Sequence, residues 1–496
     1  MARPPDLIIS GKETSLYTHE NLFIGGWVPP ASSRVIDVFS PATEEPIGRV
    51  PSASIADVDA AVAAARGAFD AGPWPALDPA ERAQIVGRLG KAIRARAEEF
   101  ADLISAEVGS PRAWSTIGQV GIATAVFATY SGIGRSHEWE TTRKGGFGGP
   151  VRVRQVPVGV VGAIVPWNAP LFVAALKLAP ALLAGCTVVL KPAPQTPLHT
   201  YLLAEAAEAA GLPPGVLSIV PGEAAASEHL VRHPGVDKIS FTGSTAIGRH
   251  IGELCARDLR RCTLELGGKS AAILLPDVDL GAGTVEAIVG GAMSNGGQIC
   301  VSQTRVLAPR DRYDEVVDAL GTRIGALRVG DPSDPATEVG PLISSQARER
   351  VEGYLSSAEA DGARLVTGGG RPKGLDRGWY VEPTLFAGVD NGMRVAREEI
   401  FGPVMVVIPY DGVDDAVRIA NDSDYGLAGA VWTTDIAAGE AVAGRIRAGG
   451  VGVNSSAGMD LGSPFGGFKQ SGIGREGGPE GLAAYTEYQS IILPAG

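Results

Sequence analysis

Short apolar runs alternate with longer alanine- and leucine-rich stretches through the middle of the chain. Five β-branched apolar runs are typical of buried strands, and they cover 158–165, 187–190, 216–220, 238–241 and 262–266. Each of the first four runs precedes a stretch of helical length, at about 171–184, 197–210, 223–232 and 246–258. This β-α-β-α order predicts a parallel sheet with helices on its faces.

The flanking segments carry simpler patterns. The segment 22–27 predicts an early strand and turn, and the stretches 55–69 and 80–107 predict amphipathic surface helices. Arginine alternates with valine toward the end of 141–155, which predicts an extended ribbon.

Composition and charge narrow the class of protein. The chain has 496 residues, of which 45% are hydrophobic and 20% charged, so we expect a folded protein of about three domains or one large two-domain body. The formal net charge of -12 and the lack of a basic block make nucleic acid an improbable partner. The negative charge does not exclude a small anionic ligand, because backbone N–H groups at a helix start can hold phosphate in an acidic protein.

Targeting and redox signals point to a cytoplasmic protein without disulfides or a metal. The segment 1–6 lacks the apolar core of a secretory signal, and no window approaches eighteen apolar residues, so we expect a cytoplasmic protein that does not enter a membrane. The four cysteines do not resemble a disulfide framework or a zinc motif. We therefore predict free thiols, and buried inert ones at Cys186, Cys255 and Cys262.

Chemistry-bearing residues follow each predicted strand directly. In open parallel sheets ligands bind beyond the carboxyl ends of the strands, so these residues should converge on one edge. They are Pro166-Trp167-Asn168, Lys191-Pro192, Pro221-Gly222, Thr242-Gly243-Ser244, and Glu265 with Leu266-Gly267-Gly268.

The run 241–248 predicts a strand that enters a helix whose first N–H groups and hydroxyls could hold a pyrophosphate. A dinucleotide is the simplest ligand that carries such a pyrophosphate. The alternative is that Thr245 only caps the helix and Gly243 only makes the turn. Lys191 fits a ribose hydroxyl or a phosphate, although a solvated lysine at a strand end is the ordinary case.

Three residues are candidates for covalent catalysis. Cys300 ends a glycine-rich turn, where its backbone N–H could stabilise an oxyanion, but its thiol needs a pKa lowered from about 8.5 to react. No histidine follows position 250, so Glu265, flanked by leucines that should raise its pKa, is the candidate base. Asn168 could donate to developing negative charge, or it could satisfy only its own turn.

Taken jointly and in order, these motifs resemble the aldehyde dehydrogenase superfamily of NAD(P)-dependent enzymes over nearly the whole chain. The motifs that carry the resemblance are Pro166-Trp167-Asn168, Lys191-Pro192, Phe241-Thr242-Gly243-Ser244, Glu265-Leu266-Gly267-Gly268-Lys269, Gly297-Gln298-Ile299-Cys300, Glu399-Ile400-Phe401-Gly402-Pro403, and Pro464-Phe465-Gly466-Gly467-Phe468-Lys469 with Ser471-Gly472.

The resemblance implies an α/β fold of the aldehyde dehydrogenase type, with two doubly wound parallel-sheet domains and a β-ribbon oligomerisation arm. It places an NAD(P)-binding domain at 1–140 and 156–264, a catalytic domain at 265–477, and the arm at 141–155 and 478–496. The arm implies a homodimer or homotetramer.

The resemblance also implies a mechanism. Cys300 attacks the aldehyde carbon, Asn168 and the Cys300 N–H hold the oxyanion, and Glu265 activates water to release a carboxylic acid. Lys177 and Glu476 match positions that move the proton of the base. The implied cofactor contacts are Val165, Pro166, Trp167, Lys191, Gly222, Phe241, Thr242, Gly243, Ser244, Ile247, Leu266, Gly267, Glu399 and Phe401.

The cofactor and substrate follow less directly. Pro194 stands where many NAD-preferring relatives carry an acid, so we expect NAD and leave NADP open. The implied substrate tunnel is lined by Ala169, Val173, Leu176, Val301, Met459 and Phe465. At four of these positions, Ala169, Val173, Leu176 and Met459, relatives acting on small aldehydes often have bulkier groups, which predicts a roomy apolar pocket for a medium or large aliphatic, terpenoid or aromatic aldehyde.

Three alternatives stay open. A semialdehyde dehydrogenase would need a cation for the substrate carboxylate, and the tunnel segments hold no obvious arginine. A coenzyme-A-acylating enzyme commonly lacks the water-activating glutamate that Glu265 matches. A catalytically silent structural or binding homologue has no reason to keep Cys300, Glu265 and Asn168 together.

Overall fold

The computed structural model describes residues 16–146 and 148–494. The segment 1–6, for which we predicted no secretory signal, lies outside the described residues. The strands are β1 Tyr17–Thr18, β2 Leu22–Ile24, β3 Trp27–Val28, β4 Val35–Phe39, β5 Pro46–Pro51, β6 Glu140–Lys144, β7 Pro150–Pro157, β8 Val160–Ile164, β9 Thr187–Lys191, β10 Leu217–Ile219, β11 Lys238–Thr242, β12 Arg261–Glu265, β13 Ala271–Leu274, β14 Arg305–Pro309, β15 Arg364–Thr367, β16 Thr384–Ala387, β17 Val404–Tyr410, β18 Ala428–Trp432, β19 Gly450–Val453, β20 Gly472–Ile473 and β21 Thr486–Ile492.

The helices are α1 Ile55–Asp70, α2 Pro79–Ala95, α3 Ala97–Val108, α4 Arg112–Trp114, α5 Ile122–Ser136, α6 Pro170–Ala184, α7 His199–Ala209, α8 Ala224–Arg232, α9 Thr245–Arg257, α10 Ala282–Met293, α11 Tyr313–Gly325, α12 Ser345–Ala360, α13 Arg394–Arg397, α14 Val413–Asn421, α15 Ile436–Ala443 and α16 Gly478–Ala483. A π-helical segment, Ser115–Gly121, joins α4 to α5. None of these helices combines the length and the apolar character that crossing a membrane requires.

The predicted β-α-β-α region forms the centre of an eight-stranded sheet with the order β20-β12-β11-β8-β9-β10-β2-β3. The five central strands run parallel, and each lies within two residues of its predicted bounds. β2, β3 and β20 add antiparallel edges, so the early strand and turn are confirmed. Helix α6, of which every residue except Phe172 is buried, packs between this sheet and the helices α2 and α5.

A second sheet has the order β15-β16-β17-β14-β13-β18-β19 and is parallel except for β15. A separate antiparallel sheet pairs β7 with β6 on one side and with β21 on the other, so the predicted ribbon is confirmed. These sheets confirm the predicted fold class. The domain boundaries stay a prediction, and β20, from within the predicted catalytic segment, pairs with β12 of the first sheet.

The stretch 80–107 is two helices where the sequence predicted one. Arg96 separates α2 from α3 with φ -118° and ψ 28°, outside the helical region. Its guanidinium lies 2.8 Å from Glu99 and 2.5 Å from Glu205 on α7. These ion pairs tie the bend to a neighbouring helix, which the periodicity of one segment does not reveal.

Candidate active site

The carboxyl ends of the central strands meet at one edge of the first sheet, as the sequence predicted. The register places Thr242 beside Glu265 and Ile164 beside Lys191. Asn168 follows β8 just before helix α6, so the amide, the ammonium, the hydroxyl and the carboxylate share this edge.

A cavity of about 930 Å³ opens at this edge and extends toward the second sheet. Cys300, Glu265 and Asn168 all line it, although they come from three separate parts of the chain. Other predicted residues on its wall are Glu476, Pro166, Trp167, Thr242, Gly243, Ser244, Leu266, Gly267, Glu399, Phe401, Ala169, Val173, Leu176, Val301, Met459 and Phe465. The structure thus brings every predicted tunnel residue to one cavity.

Six predicted residues do not line this cavity. Lys177 lies behind its wall, bonded to Glu476. The other five are Val165, Lys191, Gly222, Phe241 and Ile247, which lie on or just after the strands β8 to β11 or in the first turn of α9.

A left-handed turn carries Cys300. Helix α10 ends at Met293, and Asn295, Gly296 and Gly297 then take φ values of 51°, 64° and 70°. A Cβ at position 297 would overlap the backbone carbonyl of Gly402, so this position requires glycine. The Gln298 side chain fixes the turn, because its Nε2 donates to Asn295 O (3.0 Å) and its Oε1 accepts from the Ile343 N–H (3.0 Å).

Burial holds the Cys300 thiol in its protonated form. Burial, assisted by the nearby carboxylates of Glu399 and Glu265, raises the pKa of Cys300 to about 12. The backbone N–H groups of Cys300 and Val301 favour the thiolate but are outweighed. The lowered pKa that nucleophilic attack requires is therefore not a property of this chain alone.

Glu265 is a buried carboxyl group with free oxygens. It is 2% exposed, and neither carboxylate oxygen has a hydrogen-bond partner within 16–146 and 148–494. Burial first, and the charge of Glu476 second, raise its pKa well above the ordinary value, against the opposing charges of Lys177 and Arg475. The raised pKa predicted from the flanking leucines is confirmed.

The Asn168 amide is fixed beside the cysteine turn. Its Nδ2 donates to Gln298 O at 2.8 Å, and its backbone carbonyl accepts from Asn295 Nδ2 at 3.1 Å and from Gln119 Nε2 at 3.4 Å. An amide nitrogen carries two hydrogens, so one can serve this bond while the other faces a ligand. The Asn168 side chain therefore bonds the turn that carries Cys300 and not its own turn, and it also lines the cavity, as an oxyanion donor would have to.

A buried polar chain lies behind Glu265. Lys177 Nζ is 2.7 Å from Glu476 Oε1 and donates to Ser240 Oγ at 3.1 Å. The Ser240 hydroxyl lies 3.3 Å from Glu476 Oε1 and accepts from the Tyr485 hydroxyl at 3.1 Å. All four side chains are at most 1% exposed, so the ion pair is shielded from water.

The strand ends fit a dinucleotide. Ser244 caps α9, the Thr242 hydroxyl is buried with no partner in the described chain, and Lys191 is 4% exposed with a pKa that burial lowers to about 8. Glu399 accepts from the Gly268 N–H at 3.0 Å. Unpaired polar groups around a cavity, such as the Thr242 hydroxyl, are the donors and acceptors that a bound nucleotide would satisfy.

Aromatic side chains and glycines shape the same cavity between the two sheets. Phe401 has φ 58° and meets the Trp167 ring edge-on at 5.4 Å. A Cβ at Gly267 would strike the Glu399 carboxylate, and one at Gly268 would strike the Cys300 carbonyl. The two glycines therefore let the chain after β12 pass close to the loops that carry Glu399 and Cys300.

The sequence reasoning missed part of the cavity wall. The α4 and π-helical segment supplies Trp114, Ile117 and Gly118, and Phe172, Ile299 and Leu461 are among the other apolar residues of the wall. No sequence signal identified this wall, because the 70% exposure of Ile117 appears only in the structure.

Lys269 was quoted only as part of a motif, yet it is a buried cation. Its ammonium has no hydrogen-bond partner in the described residues, and burial lowers its pKa to about 7. No sequence signal distinguished it from a solvated lysine beside two glycines.

One prediction needs an addition and another needs correction. The predicted tunnel segments hold no arginine, but Arg323 of α11 and Arg350 of α12 line the wider cavity, where Arg323 pairs with Glu286 and Glu338 and Arg350 donates to the Glu399 carbonyl. Cys262 is half-buried and not a fully buried inert thiol, and its contact with the Cys255 thiol lowers its pKa. Both changes depend on contacts between separate segments, which no single linear segment shows.

Known proteins match this chain along almost its full length. A sequence model described as the aldehyde dehydrogenase family matches residues 27–491. The geranial dehydrogenase of Castellaniella defragrans is 48% identical over 476 residues, covering 96% of this chain and 99% of its own.

Solved structures agree with the sequence relatives. An aldehyde dehydrogenase of Mycobacterium tuberculosis complexed with NAD+ is 52% identical with a TM-score of 0.95, covering 97% of this chain and 99% of that one. A mutant of aldehyde dehydrogenase C from Pseudomonas syringae, in complex with NAD+ and octanal, is 41% identical with a TM-score of 0.91. The match covers 95% of this chain and 96% of that one. The chain belongs to the aldehyde dehydrogenase family and is an NAD-dependent oxidoreductase that acts on aldehydes.

Proposed function

We propose that the chain oxidises a medium or large apolar aldehyde to the carboxylic acid through a covalent Cys300 thioester. The observation that carries this proposal is the meeting of Cys300, Asn168 and Glu265 in one cavity whose wall is apolar at Ala169, Val173 and Leu176. The two unpartnered oxygens of Glu265 among the described residues support its role, because a base must have a free lone pair for the proton it takes.

The proposed reaction begins when the Cys300 thiol loses its proton to solvent in the cavity and Sγ bonds to the carbonyl carbon, whose C=O π electrons move onto the oxygen. The carbonyl oxygen gains negative charge, which the Cys300 N–H and the Asn168 amide stabilise. The carbon–hydrogen bond then breaks with hydride transfer to NAD+, which is the chemistry that this cofactor supplies when bound. Glu265 takes a proton from water, the hydroxide adds to the thioester, and the carbon–sulfur bond breaks to release the acid.

The proposed cofactor contacts are those of the strand ends. Ser244 and the first turn of α9 would hold the pyrophosphate. Lys191 would bind a ribose hydroxyl, and Glu399 would bind the ribose near the reacting carbon. The proton that Glu265 takes up would pass toward Glu476 and Lys177, which bond each other directly behind it.

An apolar substrate fits the cavity better than an acidic one. Ala169, Val173 and Leu176 at the start of α6 leave space, and the charge of Arg323 is balanced by two glutamates. The relatives named for geranial and bound to octanal point to the same class of aldehyde. We therefore place medium and long aliphatic or terpenoid aldehydes ahead of semialdehyde acids.

An aldehyde panel with NAD+ and no coenzyme A tests the proposal. Octanal and geranial should give sustained NADH production with a kcat/KM at least about tenfold above that of acetaldehyde or succinic semialdehyde. Cys300→Ala should abolish turnover while NAD+ binding, measured by calorimetry, stays unchanged. Preference for succinic semialdehyde, or turnover by the Cys300→Ala variant, would contradict the proposal.

Assembly and location stay predictions. The ribbon of β6, β7 and β21 exposes Tyr488 (67%) and Ile492 (76%), which supports its proposed role in joining subunits of a homodimer or homotetramer. Native mass spectrometry of the full chain measures the number of subunits. The cytoplasmic location and the division into three domains are likewise proposals.

A further inference from the structure

A cluster of two histidines and one aspartate lies outside the catalytic cavity. His229 lies in the last turn of α8, His233 caps the carboxyl end of the same helix, and Asp59 lies on the neighbouring α1. One ligand atom from each of the three side chains lies within 4.8 Å of the other two. We propose that this Asp59–His229–His233 cluster binds a divalent transition-metal ion such as Zn²⁺, Ni²⁺ or Co²⁺.

The spacing of the donors favours this assignment. His229 and His233 stand four positions apart, which places both imidazoles on one helix face, as in helical zinc sites. Their rings are perpendicular with centroids 5.6 Å apart. Asp59 Oδ1 lies 2.5 Å from His229 Nε2 and 3.4 Å from His233 Nε2.

The donor separations set how far the cluster must open. Donors of a tetrahedral zinc ion, with bonds of about 2.0–2.2 Å, are separated by about 3.4 Å. The distance from Asp59 to His233 already meets this value. The distance from Asp59 to His229 must lengthen by about 1 Å, which a rotation of the exposed Asp59 side chain can supply.

The chemistry of the donors selects the class of ion. Two imidazoles and one carboxylate suit borderline transition metals, whereas Ca²⁺ and Mg²⁺ prefer sets of oxygen ligands. The side chains of Asp59, His229 and His233 are 53%, 30% and 18% exposed, so an ion can reach them and keep water as a fourth ligand.

Binding also requires one rearrangement at His233. Its Nδ1 now accepts a hydrogen bond from the Gly235 N–H at 3.0 Å, so Nε2 carries the proton of the neutral ring. Coordination through Nε2 moves that proton to Nδ1 and opens the bond to Gly235. The nearby Arg260 adds positive charge, but its guanidinium donates to the Val231 carbonyl and lies 3.7 Å from the Asp258 carboxylate, which offsets that charge.

Metal titration of the full-length chain tests the proposal. The Cys300→Ala background removes the active-site thiol as a competing ligand, and Zn²⁺ binding is followed by calorimetry. We expect one equivalent of Zn²⁺ to bind, and His229→Ala or His233→Ala to weaken binding at least about tenfold. Co²⁺ should give a visible tetrahedral spectrum without a sulfur-to-cobalt band in the near ultraviolet.

The matched control is His250→Ala. His250 is a surface histidine on α9, with its Nε2 4.0 Å from the Glu228 carboxylate, and its loss should leave Zn²⁺ binding unchanged. Circular dichroism of each variant without metal checks that the fold is retained. The proposal is overturned if no Zn²⁺ binds, if the His229→Ala and His233→Ala variants bind as tightly as their parent, or if Co²⁺ reports sulfur ligands.

Discussion

At the scale of single residues, burial sets the chemistry of the cavity. It raises the pKa of Cys300 to about 12 and raises that of Glu265 well above its ordinary value, so both groups hold their protons more firmly than in water. Glu265 can act as a base only after losing its proton. The Cys300 thiol needs a nearby positive charge to lower its pKa. In the proposed reaction, the positive charge of bound NAD+ serves this purpose.

Alkylation of Cys300 without cofactor should rise with pH and reach no plateau below pH 9. The reason is that a raised pKa leaves the thiolate fraction growing about tenfold for each pH unit below it. Iodoacetamide labelling followed by peptide mass spectrometry measures this rate. Cys262 is an internal control, because its contact with the Cys255 thiol lowers its pKa, so its labelling should level off at a lower pH than that of Cys300. A plateau of Cys300 labelling at neutral pH would contradict the raised pKa of this thiol.

Glu265→Gln should separate the two halves of the proposed reaction. Glutamine keeps the shape of the side chain but cannot take a proton, so the thioester should form once and hydrolyse slowly. Stopped-flow absorbance should record a burst of one NADH per active site, then a steady rate lowered about 10²- to 10⁴-fold. Unchanged steady turnover would exclude Glu265 as the base.

At the scale of elements, the π-helical segment Ser115–Gly121 shapes the substrate cavity. The segment and the residue before it place Ile117 and Trp114 on the cavity wall. π-Helical turns are rare and occur often at functional sites. The Gly118 position lies under the Trp114 ring, where a Cβ would come within 2.6 Å of it.

Gly118→Ala should therefore displace Trp114 and alter selection by substrate size. We expect kcat/KM for octanal to change about 10-fold or more, and that for acetaldehyde to change little, because only the longer chain reaches this wall. Steady-state kinetics with both aldehydes measures the difference. Gly121→Ala is the matched control in the same segment, since its Cβ would meet only the Thr116 carbonyl, at 3.3 Å. Equal effects of the two variants would remove Trp114 from substrate selection.

At the scale of the whole molecule, the last part of the chain closes the site. Strand β20 pairs with β12 directly beside Glu265, and Ser471 Oγ donates to Gly267 O at 2.7 Å and accepts from the Gly426 N–H at 3.0 Å. The buried Lys177–Glu476 pair joins α6 to the same terminal segment. Residues 299 positions apart thus meet behind Glu265.

Lys177→Met should destabilise the fold by about 3–5 kcal/mol, because it leaves Glu476 buried without its cation. The double variant Lys177→Met with Glu476→Gln should lose less stability than Lys177→Met alone, since no unpaired charge remains. Urea unfolding followed by fluorescence compares the midpoints. Breaking the exposed Arg310–Asp411 pair with Arg310→Met should change the midpoint little. A double variant less stable than Lys177→Met would contradict this reasoning.

The sequence by itself determined the central parallel sheet, the edge where its strand ends meet, and the candidate residues Cys300, Glu265 and Asn168, which line one cavity. Alternating strands and helices are local patterns, and parallel strands necessarily bring their carboxyl ends to one side. Tertiary structure alone decided which charges and surfaces meet. The raised pKa of Cys300, the pairing of Arg323, the Trp114 wall and the Asp59–His229–His233 cluster all depend on distances between segments far apart in the chain, which no linear pattern encodes.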